Sequence, residues 1–321
     1  MKRILFGIIL PVFLAASTAA WAGDDTANRG LSAPGWHGAA VAYAGYRRGQ
    51  DPDILRVYPS QAEVAQDLKI LDRHFKFLRL YGADQHAADV LQVIQREKLG
   101  IKVVLAAWLA GNPEKLKQNE AQIAGAVLLA NEYPDVVAGI IAGTDILVET
   151  STHKMSEDLA VSYIERIRSQ VTWKCPITVA DSGLYWQHPS TKLDKAVDFI
   201  TVNAIPAWHD GNADAALAAT KTAYDAIRQA HPGKTVVIGE TGWPSLTDGA
   251  KDVPGAGSEA KQKRFTDDLT AWAKARGVTV FYLEAFDEPW KGNGTEGHFG
   301  LFTETRKAKP AMQALYPELK P

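Results

Sequence analysis

Val236-Val237-Ile238-Gly239-Glu240-Thr241-Gly242-Trp243-Pro244-Ser245 is the stretch that decides how this chain is read. A β-branched apolar run ends in one carboxylate and passes at once into a Gly-Trp-Pro turn. An apolar run without polar alternation marks a strand covered on both faces, as in a parallel sheet. A carboxylate at its C-terminal end lies where the βα loops of a barrel gather functional groups. Two further runs end in the same way: Val136 to Gly143 leads into Thr144-Asp145, and Val278 to Leu283 leads into Glu284. Acids on separate strand ends, with tryptophans nearby, point to acid/base chemistry on a sugar.

Outward from that stretch, short apolar runs alternate with longer amphipathic segments. Strands are predicted near Ala39–Ala44, Phe77–Leu80, Lys102–Ala106, Val136–Ala142, Ile177–Ala180, Phe199–Val202, Val236–Gly239 and Val278–Leu283. Helices are predicted near Gln61–Arg73, Ala87–Glu97, Pro113–Asn131, Ser156–Ser169, Ala213–Ala230 and Glu259–Arg276. Ser156-Glu157 supplies an N-cap and a first-turn acid, and Gly100 and Gly277 are expected as left-handed helix stops. The segment Ser182 to Ala196 has weak helical character, so its repeat is expected to be irregular. Eight strands with helical connections define the α/β class and predict a single (β/α)₈ TIM barrel. An open doubly wound sheet shares the same alternation, since periodicity does not report closure.

The start of the chain reads as an address. Met1-Lys2-Arg3 is basic, Ile4 to Ala16 is apolar but too short to span a bilayer, and Ala20-Trp21-Ala22 supplies small residues for cleavage. The expected organisation is a signal peptide over 1–22, a flexible leader over 23–34 and a catalytic barrel over 35–321. This implies an exported protein, periplasmic or extracellular, with no membrane span and expected to be a monomer. The 35 Lys and Arg nearly balance the 37 Asp and Glu, for a net charge of −2 without a basic block, which argues against nucleic acid as a partner. Cys175 is the one cysteine and has no partner for an internal disulfide, so stability must come from core packing. The eight histidines show no paired metal-ligand spacing. Gly255-Ala256-Gly257 lacks the Lys-Ser/Thr of a phosphate loop, and no Gly-x-Ser-x-Gly elbow is present. No metal or cofactor is expected.

On the barrel's functional face the strand ends offer Arg79 and Tyr81, Trp108, Asp145, Asp181, Asn203, Glu240, and Glu284 with Asp287 and Glu288. Strands four and seven lie across the barrel, so Asp145 and Glu240 can face each other over a cleft. Tyr46, Trp108, Trp208, Trp243 and Trp290 follow strand ends and are candidate platforms for the C–H faces of sugars.

These residues carry a family resemblance. Ile238-Gly239-Glu240-Thr241-Gly242-Trp243-Pro244 resembles the signature of the family 17 glycoside hydrolases, which act on β-1,3-glucans. Tyr43 to Gln50, Arg79-Leu80-Tyr81-Gly82, Val202-Asn203-Ala204-Ile205-Pro206, Phe281 to Lys291 and His298-Phe299-Gly300-Leu301-Phe302 are similar to family segments in the expected order. The resemblance implies a retaining barrel enzyme that works by double displacement on β-1,3-glucan, with hydrolysis or transglycosylation as its outcome. It implies Glu240 as nucleophile and Asp145 at the acid/base position. It also implies substrate contacts near Arg47, Glu284, Glu288 and Lys291, with Glu284 able to pair with Arg79 or to tune Glu240 through its charge, and with a structural salt bridge as the alternative for Glu288 and Lys291.

The chain departs from the family at one place. The family's Gly-Asn-Glu at the end of strand four is Gly143-Thr144-Asp145 here. Aspartate keeps the charge but sets its carboxyl roughly 1.5 Å short on an unchanged backbone. A misplacement of that size costs on the order of 100-fold. Three outcomes stay open: Asp145 works in a contracted cleft, Glu149 stands in, or the protein is an impaired enzyme that mainly binds glucan.

Overall fold

Each of the eight apolar runs forms a strand, and the eight close on one another. The computed structural model describes residues 31–188, 192–208, 211–247 and 257–321. The expected signal peptide and most of the expected leader lie outside the described residues, as do Gly255 and Ala256 of the Gly-Ala-Gly segment. The order is β1 (Ala39–Ala42), α1 (Gln61–Leu71), β2 (Phe75–Arg79), α2 (Gln85–Glu97), β3 (Lys102–Ala107) and α3 (Leu116–Glu132). There follow β4 (Val137–Thr144), α4 (Glu157–Gln170), β5 (Ile177–Ser182), the short α5 (Gly183–Trp186) and α6 (Leu193–Ala196), and β6 (Ile200–Asn203). The chain then runs through α7 (Ala213–Ala230), β7 (Val236–Thr241), α8 (Glu259–Arg276) and β8 (Val280–Tyr282). All neighbours pair in parallel, and β1 meets β8 through Ala40 opposite Phe281 and Val41 opposite Tyr282, which closes the barrel. The α/β, single (β/α)₈ reading therefore holds, and the open sheet is excluded. The weak repeat after β5 is indeed reduced to two single-turn helices.

Packing follows from the all-apolar strands. One large cluster fills the space between strands and helices. A second takes residues from every repeat (Ala40, Phe77, Val104, Ala138, Ala180, Phe199, Val237 and Phe281 among them), as the lumen of a closed barrel does. Leu31, only 1% exposed, belongs to that lumen cluster, and the Thr235 hydroxyl donates to the Ser32 carbonyl at 2.6 Å. The expected flexible leader over 23–34 is thus corrected at its end: residues 31 and 32 are packed against the barrel, because Leu31 finds an apolar site there.

Helix ends obey ordinary capping with one revision. Ser156 accepts from the Leu159 N–H at the start of α4, and Gly277 closes α8 at φ 66°. At the end of α2, however, the left-handed residue is Lys98 (φ 55°), not Gly100. The Leu99 N–H reaches back to the Ile94 carbonyl at 3.0 Å, so the helix is already closed when Gly100 donates its N–H to Asp72 at 2.8 Å.

Candidate active site

The site is built on one buried cation. Arg79, at the end of β2 and 0% exposed, sends its guanidinium across the barrel mouth. Nη1 donates to the Gly239 carbonyl at 3.0 Å and to Asn203 Oδ1 at 3.1 Å. Nη2 donates to the Thr144 hydroxyl at 3.1 Å and lies 3.3 Å from Glu240 Oε1. One planar fork therefore ties β2 to the ends of β4, β6 and β7, a geometry that an ammonium does not reproduce.

The Glu240 motif is shaped to let that fork in. A Cβ on Gly239 would stand 2.4 Å from Thr201 Cγ2 and 3.1 Å from Arg79 Nη1, so only glycine admits the guanidinium at this approach. A Cβ on Gly242 would stand 2.2 Å from the Leu283 carbonyl, so the turn after Glu240 packs directly on the end of β8. Burial pushes the Glu240 carboxyl above its ordinary pKa, Arg79 works against that rise, and the nearby Asp145 adds to it. The Tyr81 hydroxyl is buried near Glu240 without an ordinary hydrogen bond. Its own pKa is raised by burial first and by the Glu240 charge second.

Asp145 is presented differently. The register of β4 on β5 shifts between Ile141 and Thr144, and Gly143 and Asp145 have φ of 106° and 51°. Aspartate is among the few non-glycine residues that accept this left-handed region. The Asp145 N–H donates to the Ala180 carbonyl at 2.9 Å, and Asn203 Nδ2 donates to Asp145 Oδ1 at 2.9 Å. Asn203 itself pairs across the sheet with Glu240, at a bulge in β6. The two carboxyl groups are thus linked through polar side chains, in the order Asp145, Asn203, Arg79 and Glu240.

Both acids line one cleft of about 480 Å³ with Trp108, His153, Ser182, Asn203, Ile205, Trp208 and residues of the 148–152 loop. Trp108 stands edge-on to His153 with ring centroids 4.4 Å apart, and Trp208 packs on Phe299 at 5.6 Å. His153 and the loop hydroxyls of Thr150, Ser151 and Thr152 were not singled out by the sequence. Their signal was position alone, directly after the β4 strand end.

Other expected site residues lie elsewhere. Trp243 is 1% exposed and packs on Phe265, so it belongs to the core and not to the cleft wall. Arg47 is turned away into ion pairs with Glu63 and Asp67, and Asp67 is also held by Arg306. Tyr46 is buried against Tyr58, His86 and Trp290. Glu284 does not pair with Arg79: both of its oxygens accept from Lys291 Nζ, at 3.1 and 3.2 Å. Lys291 also meets Glu288 at 2.7 Å, and Trp290 Nε1 donates to Glu288 at 3.0 Å. Desolvation opposes the Lys291 charge, but Glu284 and Glu288 outweigh it and raise its pKa. Burial, then Glu288, raise that of Glu284. Glu149 is exposed and paired with Lys154, and is not itself among the residues that line the cleft.

A closed (β/α)₈ barrel with two carboxyl-bearing strand ends on one cleft is an arrangement that glycosidases use. The chain belongs to the BtgE/BtgC glycoside hydrolase domain family, whose model matches residues 40–300. It is 29% identical over 293 residues to a putative glucan endo-1,3-beta-glucosidase btgC of Aspergillus niger, covering 82% of this chain and 42% of that protein. The chain therefore spans less than half the length of such relatives. A glucan 1,3-beta-glucosidase of Arthroderma benhamiae is 29% identical over 78% of this chain and 83% of its own length. Among solved structures, an endo-laminarinase from Formosa Hel1_33_131 superimposes with a TM-score of 0.78 at 26% identity, over 87% of this chain and 86% of that one. A family 17 beta-1,3-glucanosyltransferase from Rhizomucor miehei shares the fold, with a TM-score of 0.71 at 24% identity, over 85% of this chain and 95% of that one.

Proposed function

We propose that this protein is a retaining glycoside hydrolase acting on β-1,3-glucan, with Glu240 as nucleophile and Asp145 as acid/base. The observation that carries the reading is the Arg79–Asn203 bridge, which holds both carboxyl groups on one cleft. The names of its relatives as glucan endo-1,3-beta-glucosidases and an endo-laminarinase support the substrate class.

In the first step Glu240 attacks the anomeric carbon, and the glycosidic oxygen leaves with the proton of Asp145. A covalent glucosyl ester on Glu240 results. In the second step Asp145 takes a proton from the acceptor hydroxyl, whose oxygen displaces Glu240. Water as acceptor makes the enzyme a glucanase, and a sugar hydroxyl makes it a glucanosyltransferase. Arg79 favours the ionised Glu240 needed for attack, and receives the leaving carboxylate after turnover. The half-buried Trp108 and Trp208 supply apolar walls for the sugar rings. The N-terminal pattern supports export to the periplasm or beyond. No described helix is long and apolar enough to cross a membrane.

A second reading, glucan binding without turnover, is favoured by one observation: the Thr144 hydroxyl, in the position of the family's asparagine, is engaged by Arg79. Product analysis after incubation with laminari-oligosaccharides separates the readings. Shorter products establish hydrolysis, longer or branched products transfer, and Glu240→Ala must abolish both. Binding without products in wild type sinks the enzyme reading.

A further inference from the structure

Asp181 lies at the end of β5, one residue past the carbonyl that holds Asp145, and is 0% exposed. Its two oxygens are both occupied as acceptors. Oδ2 accepts from the Leu147 N–H at 2.8 Å, and Oδ1 accepts from the Ser182 N–H at 2.7 Å. Among the described residues no cation pairs with it. A buried carboxylate without a counter-ion is costly, and two backbone donors offset only part of that cost. A fold seeking stability alone has cheaper ways to satisfy two N–H groups. The cost is placed against Leu147, two residues past Asp145, whose own backbone sits in the left-handed region and gains little from regular pairing.

The turn after β4 is consequently held from β5 at two points. The Ala180 carbonyl accepts from the Asp145 N–H, and the next residue, Asp181, reaches over to the Leu147 N–H. Both points belong to one strand, so they fix the direction in which Asp145 leaves the barrel. Ser182, the second donor to Asp181, itself lines the cleft beside Asp145.

We propose that Asp181 is a positioning residue for the acid/base step: its carboxylate fixes the turn that aims Asp145 at the glycosidic oxygen. This rests on Asp145 being the acid/base of the proposed reaction. A neutral residue at 181 accepts at most one of the two N–H bonds with the same geometry. The turn then relaxes, and the proton donor misses the leaving oxygen.

The test separates acid catalysis from folding through the leaving group. Laminari-oligosaccharides leave as alkoxides and need the proton, whereas 2,4-dinitrophenyl β-laminaribioside leaves as a stable phenolate and does not. For Asp181→Asn, kcat/KM on the oligosaccharide should fall on the order of 10²-fold, mostly in kcat, and on the aryl glycoside by less than about threefold. Asp181→Ser should split the two substrates in the same direction, and Asp145→Ala more strongly. Equal loss on both substrates, including loss through unfolding, would make Asp181 a fold residue and overturn the proposal. No loss on either substrate would overturn it as well. If Asp145→Ala shows no split while wild type turns over both substrates, the acid/base reading fails and this proposal with it. A wild type silent on both substrates would instead sink the glycosidase reading itself.

Discussion

The strand ends that carry Glu240 and Asp145 are built in opposite ways. β7 runs as an uninterrupted buried strand through Glu240 to Thr241, and the carboxylate meets a buried guanidinium. β4 reaches Thr144 and then breaks into a left-handed residue, and Asp145 is half-buried, held by an amide and by the backbone of β5. The difference matches the two tasks proposed for them. A nucleophile must stay ionised and fixed in a place that excludes water, which needs a rigid strand and a permanent cation. An acid/base must gain and lose a proton each turnover, which a permanent cation would resist. The molecule therefore places its cation against one acid and reaches the other through Asn203.

The comparison is broken most severely at Glu240. Glu240→Gln keeps shape and removes the proposed nucleophile, and should lower kcat on the order of 10⁴-fold or more while leaving glucan binding measurable by calorimetry. Arg79→Lys is next. One ammonium cannot serve Gly239, Asn203, Thr144 and Glu240 together, so kcat/KM should fall roughly 10²–10³-fold, with loss at both acids and not at Glu240 alone. A fall below about tenfold would mean that the fork does not organise the site.

The third effect concerns pH and tests the cost assigned to Asp181. Burial pushes its pKa up to about 6, the Leu147, Ser182 and Ile146 N–H groups oppose that rise, and the Asp145 charge adds to it. For an acid raised on folding, the folded chain keeps a proton that the unfolded chain releases. Stability is therefore lost as pH rises from about 4 to about 6 and is level above that, the contribution amounting to up to about 3 kcal/mol. Asp181→Asn lacks this term. Its stability relative to wild type, from denaturant unfolding at pH 4 and pH 7, should improve at the higher pH. Parallel curves would contradict it.

The smallest effect sharpens the contrast most. In this backbone the short side chain already meets Asn203 at 2.9 Å, and the left-handed φ suits aspartate better than glutamate. Asp145→Glu should therefore lower kcat about tenfold, although the family carries glutamate there. A gain in rate would instead mark the natural protein as impaired.

Much of this was legible in the sequence, for identifiable reasons. The eight strands stood out because each is a continuous apolar run, and α7 and α8 have the predicted bounds because their caps, Asn212 and Ser258, are polar side chains in plain view. Glu240 was legible because a charge ending such a run needs a partner. What failed was direction. Trp243 follows the strand end but turns into the core, because Gly242 lets the chain pack under β8. Arg47 sits in the right loop but finds Asp67 closer than any cleft. The Asp181 clamp and the His153–Trp108 pair join neighbouring loops through turn geometry, which no periodicity records.

The central claim is that Glu240 is the carboxylate that bonds to the sugar. It is tested most directly by incubating the protein with a 2-deoxy-2-fluoro-β-laminaribiosyl fluoride and locating the label by peptide mass spectrometry. The fluoride leaves without an acid, so the outcome does not depend on Asp145. One fluoroglycosyl group on the peptide bearing Glu240, absent in Glu240→Gln, is the predicted result. Labelling of another carboxylate, or turnover of laminari-oligosaccharides with no label trapped, would contradict the account.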